Sequence, residues 1–230
     1  GHPELAGGRV TQMDGAPLDT AVDHATHVAG TLVATGIVPE AKGMATGSII
    51  RSYDAKAGDT FRMSAEARSN ALLLSNHSYG NVAGWYKGKW YGDASIHPKI
   101  DYKYGYYDAR AHDWDSLAVL APQYLIVKAA GNFRGDGGPI QPPPSGAPEN
   151  NGGVSGYDCL PTYSVAKNAL TVGAVDGRKS SEMTTFSAFG PTDDGRIKPD
   201  LVAHGEAVYS CSHVAPLNKP NGYSTNSGTS

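Results

Sequence analysis

Two close-set histidines, His24 and His27, lie in the segment VDHATHVAGT and have the type and spacing of chemically active side chains. Imidazoles three residues apart could bind a metal ion, hydrogen bond within a core, or supply one general base. A zinc site of the HExxH type needs a glutamate directly after the first histidine, and Ala25 stands there. The segment therefore favours a catalytic base, with metal binding as the minor alternative.

Two other segments supply the remaining parts that acyl transfer needs, which are a nucleophile and donors for the oxyanion. Ser230 of the terminal SGTS is the candidate nucleophile, and Asn132 of VKAAGN is the candidate oxyanion donor. His24, in the first turn of a predicted helix, is the candidate base. His27 lies one turn further along, and we predict a structural role for it.

Apolar periodicity predicts an α/β domain. Trp114, Leu117, Ala118 and Ala121 recur at helical spacing, and Asp23 is a suitable N-cap for a helix that Gly36 can end. Helices between continuous apolar strands imply a largely parallel sheet flanked by helices, a three-layer domain. The predicted strands cover 47–54, 71–76, 124–130 and 169–175, and two further helices cover 61–71 and 109–121.

Composition limits the function classes. A chain of 230 residues is most simply one domain, 1–230. A net charge of -3 gives no electrostatic footprint for nucleic acid, and no apolar run is long enough to span a membrane. The two cysteines, Cys159 and Cys211, could form one disulfide or remain thiols, and we favour thiols.

Residues 84–114 form an aromatic-rich region with all three tryptophans and six of the 13 tyrosines. We predict that this region is an insertion in the domain. Its rings could wall one side of a cleft, or they could pack among themselves as a surface excursion.

The motifs, taken together, resemble those of the subtilisin-like serine proteases, the subtilases. The chain is similar to their larger extracellular bacterial branch in particular. The resemblance runs from residue 2 to 230 in the family's order, through the segments HPELAGGRV (2–10), HATHVAGT (24–31), SYG (78–80), AAGN (129–132), TVGAV (171–175) and SGTS (227–230).

The resemblance implies a subtilisin-like fold and a role for each matching residue. His24 would be the base, Ser230 the nucleophile of an acyl-enzyme, and Asn132 the oxyanion donor. A polypeptide substrate would pair as a strand with Ser78, Tyr79 and Gly80, and Gly131 would border the specificity pocket. The family also implies an extracellular or cell-envelope location and structural calcium, although the carboxylates near Asp193 and Asp194 are more typical of a turn.

The largest departure from the family pattern is the catalytic aspartate. Asp14, Asp19 and Asp23 precede His24, but the first two are typical of turns and Asp23 of a helix cap, so we assign none as the acid. The chain begins after the family's Asp strand and stops at Ser230. We therefore expect a fragment truncated at both ends, inactive by itself and completed by the remainder of its own polypeptide.

Two other classes remain as alternatives. One is a pseudoprotease, or a peptide- or glycan-binding module on the same scaffold. The other is a metal-dependent hydrolase that uses His24 and His27, which sensitivity to chelators would reveal. A lipase or esterase would need a Gly-x-Ser-x-Gly elbow, and none surrounds Ser230.

Overall fold

The computed structural model describes residues 2–15, 23–54, 59–69, 72–97, 100–137, 151, 156–179, 182–213 and 222–230. The helices are α1 (Asp23–Val33), α2 (Asp59–Ser69) and α3 (Ala109–Leu120). The strands are β1 (Val10–Gln12), β2 (Ile50–Ser52), β3 (Leu74–His77), β4 (Trp85–Tyr86), β5 (Lys89–Trp90), β6 (Leu125–Ala129), β7 (Leu170–Asp176), β8 (Glu182–Met183), β9 (Leu201–His204), β10 (Val208–Ser212) and β11 (Gly222–Asn226). Within these ranges, no helix has both the length and the apolar character needed to cross a bilayer.

The chain divides into two compact units. The first unit comprises Gly1–Ala57 and Ala207–Ser227, and the second comprises Gly58–Glu206 and Gly228–Ser230. The first contains α1, the parallel pair β1–β2 and the antiparallel pair β10–β11. The second contains α2, α3 and the remaining strands.

A five-stranded sheet organises the second unit. The described strands follow the order β3-β6-β7-β8, and β9 pairs with β7. All of these pairs are parallel except β7–β8. The α/β class with a largely parallel sheet is therefore confirmed. Because β3 and β6 are parallel, their carboxyl ends lie at the same end of the sheet, which is where ligands usually bind in such sheets.

Helix α3 covers the sheet through one apolar face. Asp108 caps it, because its carboxylate accepts hydrogen bonds from the N–H groups of Arg110 and Ala111. Trp114 is fully buried, and its ring centroid lies 4.5 Å from that of Tyr163 and 4.7 Å from that of His77. The helix ends at Leu120, before Pro122, as the spacing of apolar residues predicts.

Residues 84–114 supply part of the core of the second unit. Trp85 and Trp90 face each other across the β4–β5 hairpin, with ring centroids 5.5 Å apart. The Asp101 carboxylate is buried and accepts from the Gly84 N–H at 2.7 Å. Tyr104 and Trp114 belong to the main hydrophobic cluster. That the region is an insertion stays a prediction, but its rings at these positions pack inward.

In the first unit, α1 packs closely on β10, and Gly30 permits the approach. A Cβ atom on Gly30 would lie 2.5 Å from Ser210 Oγ and 2.7 Å from Cys211 Sγ, inside any normal contact distance. The Ser210 hydroxyl also donates to the His27 carbonyl at 3.0 Å. This contact fixes the helix that carries His24.

The Glu4 carboxylate holds the segment that follows α1. It is fully buried and accepts from the N–H groups of residues 36–38, the Thr35 hydroxyl and the Tyr223 hydroxyl. Burial acts to raise the pKa of Glu4, but these hydrogen bonds outweigh it and hold the pKa at about 2. Ionised Glu4 thus joins the segment after α1 and Tyr223 of β11 within the first unit.

Both cysteines, Cys159 and Cys211, are buried free thiols. Burial raises the pKa of each to about 11, so neither is a reactive thiolate at neutral pH. In the second unit, His204 is the last residue of strand β9.

Candidate active site

His24 lies in the first turn of α1, and its side chain is exposed. Partial burial and the neighbouring His27 lower its pKa, while Asp23 acts to raise it. An exposed imidazole with a lowered pKa is mostly neutral at pH 7, which is the form a general base requires. The exposure of His24 and its lowered pKa therefore suit the role predicted for it.

Asp23 anchors the start of α1, although not in the way the sequence predicts. The sequence predicts that it caps the helix from outside, whereas it lies within the helix, as the first described residue of α1. Its Oδ1 accepts from the Ser212 hydroxyl and from the His213 N–H, each at 2.7 Å. The carboxylate thus ties the turn that carries His24 to the end of β10.

His27 has the structural position predicted for it. It is buried, and its Nε2 lies 3.1 Å from the Val208 carbonyl oxygen. A backbone carbonyl as partner makes this nitrogen a donor. A donating Nε2 leaves Nδ1 as the one ring nitrogen of His27 with a lone pair for a metal ion.

The aspartates ahead of His24 serve local contacts where the structure describes them. Asp14 accepts from the Gln12 side-chain amide at 2.5 Å and from the Asp54 N–H at 2.8 Å. Asp23 is used as described above, and Asp19 lies outside the described residues. The expectation that none of them is the catalytic acid remains a prediction.

In the second unit, Thr229 holds Asn132. The N–H and the hydroxyl of Thr229 both donate to Asn132 Oδ1, each at 2.9 Å. A main-chain N–H can donate only to the oxygen of a carboxamide, so the orientation of the Asn132 amide follows from this contact. Nδ2 makes no hydrogen bond within the described residues and is left as a donor. This arrangement is the one an oxyanion donor needs.

Gly131 is joined to the same group. Its N–H donates to Thr229 Oγ1 at 3.0 Å, and its φ of +116° lies in a region that favours glycine. A Cβ on Gly131 would lie 3.1 Å from the Pro161 ring. Gly131 therefore has the close neighbours expected of a pocket border, although that role stays a prediction.

Ser230 is exposed, and its main chain is held from the segment Ser78–Gly80. The Ser78 hydroxyl donates to the Ser230 carbonyl at 3.0 Å. The segment directly follows β3, which lies at one end of the described sheet order. Within the described residues one side of β3 is unpaired, so an extended peptide could be added there.

A buried hydrogen-bond network lies under Tyr79. The Tyr124 hydroxyl donates to Ser75 Oγ at 2.5 Å, and Ser75 Oγ lies 2.7 Å from His77 Nε2. On its other side, His77 Nδ1 lies 2.7 Å from the Tyr79 hydroxyl, which bonds in turn to Asp59. One direction satisfies every group: Tyr124 to Ser75 to His77 Nε2, and His77 Nδ1–H to Tyr79 to Asp59.

This network keeps His77 neutral. Burial and the nearby positive charge of Lys128 lower the pKa of His77 to about 4. Burial and the hydrogen bond to Asp59 raise the pKa of Tyr79. His77 and Tyr79 therefore act as fixed supports for the Ser78–Gly80 segment and do not titrate near pH 7.

The predicted site residues are distributed over both units. Within the second unit, Asn132, Gly131 and Ser230 belong to one hydrogen-bonded group with Ser78. His24 belongs to the first unit.

Thr229, His77 and Lys128 are site neighbours that sequence reasoning missed. The one visible signal was Lys128, a charged residue in the otherwise apolar run LIVKAA.

The described carboxylates do not fit a calcium site. Asp194 is occupied by Arg196, with Nε 2.9 Å from Oδ1, and by the Thr192 hydroxyl. Asp193 and Asp158 each have an oxygen near Gly105, but calcium takes six to eight oxygen ligands. No group of three or more metal-ligating side chains occurs within the described ranges.

Comparison with solved structures shows the same fold in two proteases. The CspB protease of Clostridium perfringens matches with a TM-score of 0.60 and 17% identity, over 94% of this chain and 67% of that one. The patellamide maturation protease PatG matches with a TM-score of 0.52 and 14% identity, over 94% of this chain and 50% of that one. The chain thus spans between half and two thirds of the length of these proteins. Among curated protein sequences, no match was found.

The sequence motifs and the fold agree with a family assignment made over almost the whole chain. The family model described as the subtilase family, Peptidase_S8, matches residues 8–230. The matched range contains α1, the edge segment after β3, and the Asn132–Thr229 contact. The chain belongs to the subtilase family.

Proposed function

We propose that this protein is a serine endopeptidase that cleaves polypeptides through an acyl-enzyme. The observation that carries the proposal is the pair of hydrogen bonds from Thr229 to Asn132 Oδ1. They aim the amide so that Nδ2 can donate to an oxyanion, and they come from the residue adjacent to Ser230. A side chain fixed in this way before substrate arrives is a preorganised electrostatic site.

Each residue has a defined role in the proposed reaction. Ser230 Oγ attacks the scissile carbonyl carbon while His24 accepts its proton. The carbonyl oxygen becomes an oxyanion, to which Asn132 Nδ2 and the Ser230 N–H donate. His24 then protonates the leaving amine, and a water molecule, deprotonated by the same imidazole, hydrolyses the acyl-enzyme.

Substrate binding relies on the edge segment. Ser78, Tyr79 and Gly80 pair with an extended peptide through main-chain hydrogen bonds, and Gly131 borders the pocket for one of its side chains. The support for this step is the position of the segment directly after an end strand, with Tyr79 fixed from below by His77. Main-chain pairing makes polypeptides in general the substrate class.

We also propose an extracellular or cell-envelope location, which rests on the family alone. Immunodetection in culture medium and in washed cells of the source organism tests it, since a protein found only in the cell lysate would contradict it.

The decisive experiment is covalent labelling with a fluorophosphonate, read by intact mass and peptide mapping. The natural protein, produced from its complete reading frame, should gain one label at Ser230. Ser230→Ala should abolish the label, and Ser48→Ala, at an exposed serine, should not. A folded protein that binds peptides but takes no label would be a pseudoprotease and would overturn the proposal.

A further inference from the structure

Lys128 is a buried lysine at the site that the proposed reaction does not use. It lies in β6 opposite His77 of β3, and only 1% of it is exposed. Its Nζ donates to the Ala129 carbonyl at 2.8 Å. No ion pair with a carboxylate is found for it within the described part of the chain. An ammonium group buried in this way is costly, because neither water nor a counter-charge stabilises it.

The neighbours of Lys128 do not supply the missing charge. His77 uses both ring nitrogens in the network with Ser75 and Tyr79 and is neutral. The carboxylate of Asp59 is bonded to Tyr79. Burial lowers the pKa of Lys128 to about 7, so that the amine gains a proton readily when an anion approaches.

The amine lies where β3 and β6 stop pairing. His77 and Lys128 form the last pair of the register, and the segments beyond them, Ser78–Gly80 and Ala130–Asn132, are not paired with each other. A Cβ on Gly80 would meet Lys128 Nζ at 4.0 Å and no other described atom within that distance apart from its chain neighbours. A side chain would therefore have room beside Gly80, and the Lys128 amine is the described atom nearest to that position outside the neighbouring residues.

The position beside Gly80 adjoins residues of the proposed reaction. Ser78 bonds to the main chain of Ser230, and Asn132 is the last residue of the segment Ala130–Asn132. In the proposed reaction the scissile carbonyl lies between Ser230 and Asn132, and Gly131, the predicted pocket border, directly precedes Asn132. The pocket that Gly131 borders would take the side chain of the residue immediately before the cleaved bond.

We propose that Lys128 determines specificity, and that the protease prefers peptides with glutamate or aspartate immediately before the cleaved bond. The substrate carboxylate provides the counter-charge that the amine lacks. The contact is a charge-assisted hydrogen bond and involves no covalent step. This inference rests on the proposed function and adds the substrate class to it.

The test compares two peptides that differ only in glutamate or glutamine before the cleaved bond. Glutamine has the same shape without the charge. In the natural protein, we expect kcat/KM to be at least about tenfold higher for the glutamate peptide, because a desolvated charge pair contributes 1.4 kcal/mol or more. In Lys128→Met the ratio should fall to about one or lower, while cleavage of the glutamine peptide persists.

Two controls isolate the amine. Lys179→Met, at an exposed lysine, should keep the natural ratio. Lys128→Gln provides a second variant, and the ratio in the unmodified protein is informative even if neither variant folds. Cleavage without a glutamate preference, or a preference that survives Lys128→Met, overturns the inference and leaves the proposed function intact. No cleavage and no fluorophosphonate label in the folded protein overturns both.

Discussion

Thr229 and Asn132 are joined by two hydrogen bonds to one oxygen, each 2.9 Å long. The Thr229 hydroxyl also accepts from the Gly131 N–H, so that it links the segment after β6 to the residue before Ser230. The orientation of the Asn132 amide thus depends on chain segments almost 100 residues apart. The proposed donor and nucleophile are positioned by the same contact.

Thr229→Val should lower kcat while leaving the fold intact. The variant keeps the main-chain N–H but removes the hydroxyl, so the amide of Asn132 is held by one bond where it had two. We expect kcat to fall about tenfold. This is less than the 10²–10³ that complete removal of an oxyanion donor costs, a range established on subtilisin. Peptide hydrolysis by the natural protein measures the effect. Thr225→Val, at an exposed strand position, is the control, and an unchanged kcat would contradict the role of the contact.

The pH dependence of activity tests His24. Because burial and His27 lower its pKa, the neutral form should already dominate below pH 7. We expect kcat/KM to rise with pH and to reach half its maximum below 6.5, the ordinary value for histidine. A profile that is flat from pH 5 to 8, or full activity in His24→Ala, would exclude His24 as the base. His204→Gln, at an exposed histidine, should leave the profile unchanged.

Local patterns predicted α3, β6 and β7 almost to the residue. The apolar spacing around Trp114 and the continuous apolar runs at 124–130 and 169–175 are short-range signals that the fold obeys. The end of α1 was missed. The pattern extended the helix to Gly36, whereas it stops at Val33, because the Glu4 carboxylate binds the N–H groups of residues 36–38. A contact over more than 30 residues leaves no local signal.

Long-range contacts also limit what the sequence predicts about the candidate site. His24, Asn132 and Ser230 are visible in the sequence because acyl transfer needs those side-chain types and the motifs place them in a familiar order. The functions of Thr229 and His77 depend on partners that only folding brings near, and neither residue stands out in its own segment. Lys128 was visible as a charge within an apolar run, but its proximity to Gly80 was not.

Gly30→Ala should destabilise the protein even though alanine is the better helix former. The new methyl group would lie 2.5 Å from Ser210 Oγ and 2.7 Å from Cys211 Sγ, so α1 must move away from β10. We expect a loss of about 1–3 kcal/mol in the free energy of unfolding, the usual cost of overpacking. Urea denaturation measures it. Gly47→Ala, where a Cβ meets nothing within 4 Å, is the matched control, and equal stability of the two variants would contradict the packing argument.

Glu4→Gln should destabilise the protein by at least about 2 kcal/mol at pH 7. Hydrogen bonds to a charged acceptor are strong, and the glutamine amide would also place its own N–H donors against main-chain N–H groups. The folded pKa of about 2 lies below the ordinary 4.5, so the carboxylate stabilises the fold fully above pH 4.5 and loses this effect as pH falls toward 2. The difference in free energy of unfolding between the natural protein and Glu4→Gln should therefore become smaller as the pH falls from 4.5 to 2, which urea denaturation measures. Glu40→Gln, at an exposed glutamate, should have the stability of the natural protein.

Protonation of His77 should change the free energy of unfolding at a higher pH than protonation of Glu4 does. Its folded pKa of about 4 lies below the ordinary 6.5, so the unfolded chain binds a proton before the folded protein does. Stability from neutral His77 is complete above pH 6.5 and is lost as pH falls toward 4, by on the order of 2–3 kcal/mol.

The variant His77→Gln does not titrate. It should be less stable at pH 8, because the bonds to Ser75 and Tyr79 weaken, yet its stability should fall less between pH 6.5 and 4.5 than that of the natural protein. Urea denaturation at pH 8, 6.5, 5.5 and 4.5 measures both effects. His204→Gln should keep the natural slope, since that imidazole is exposed. Parallel curves for the natural protein and His77→Gln would show that folding does not lower the pKa of His77.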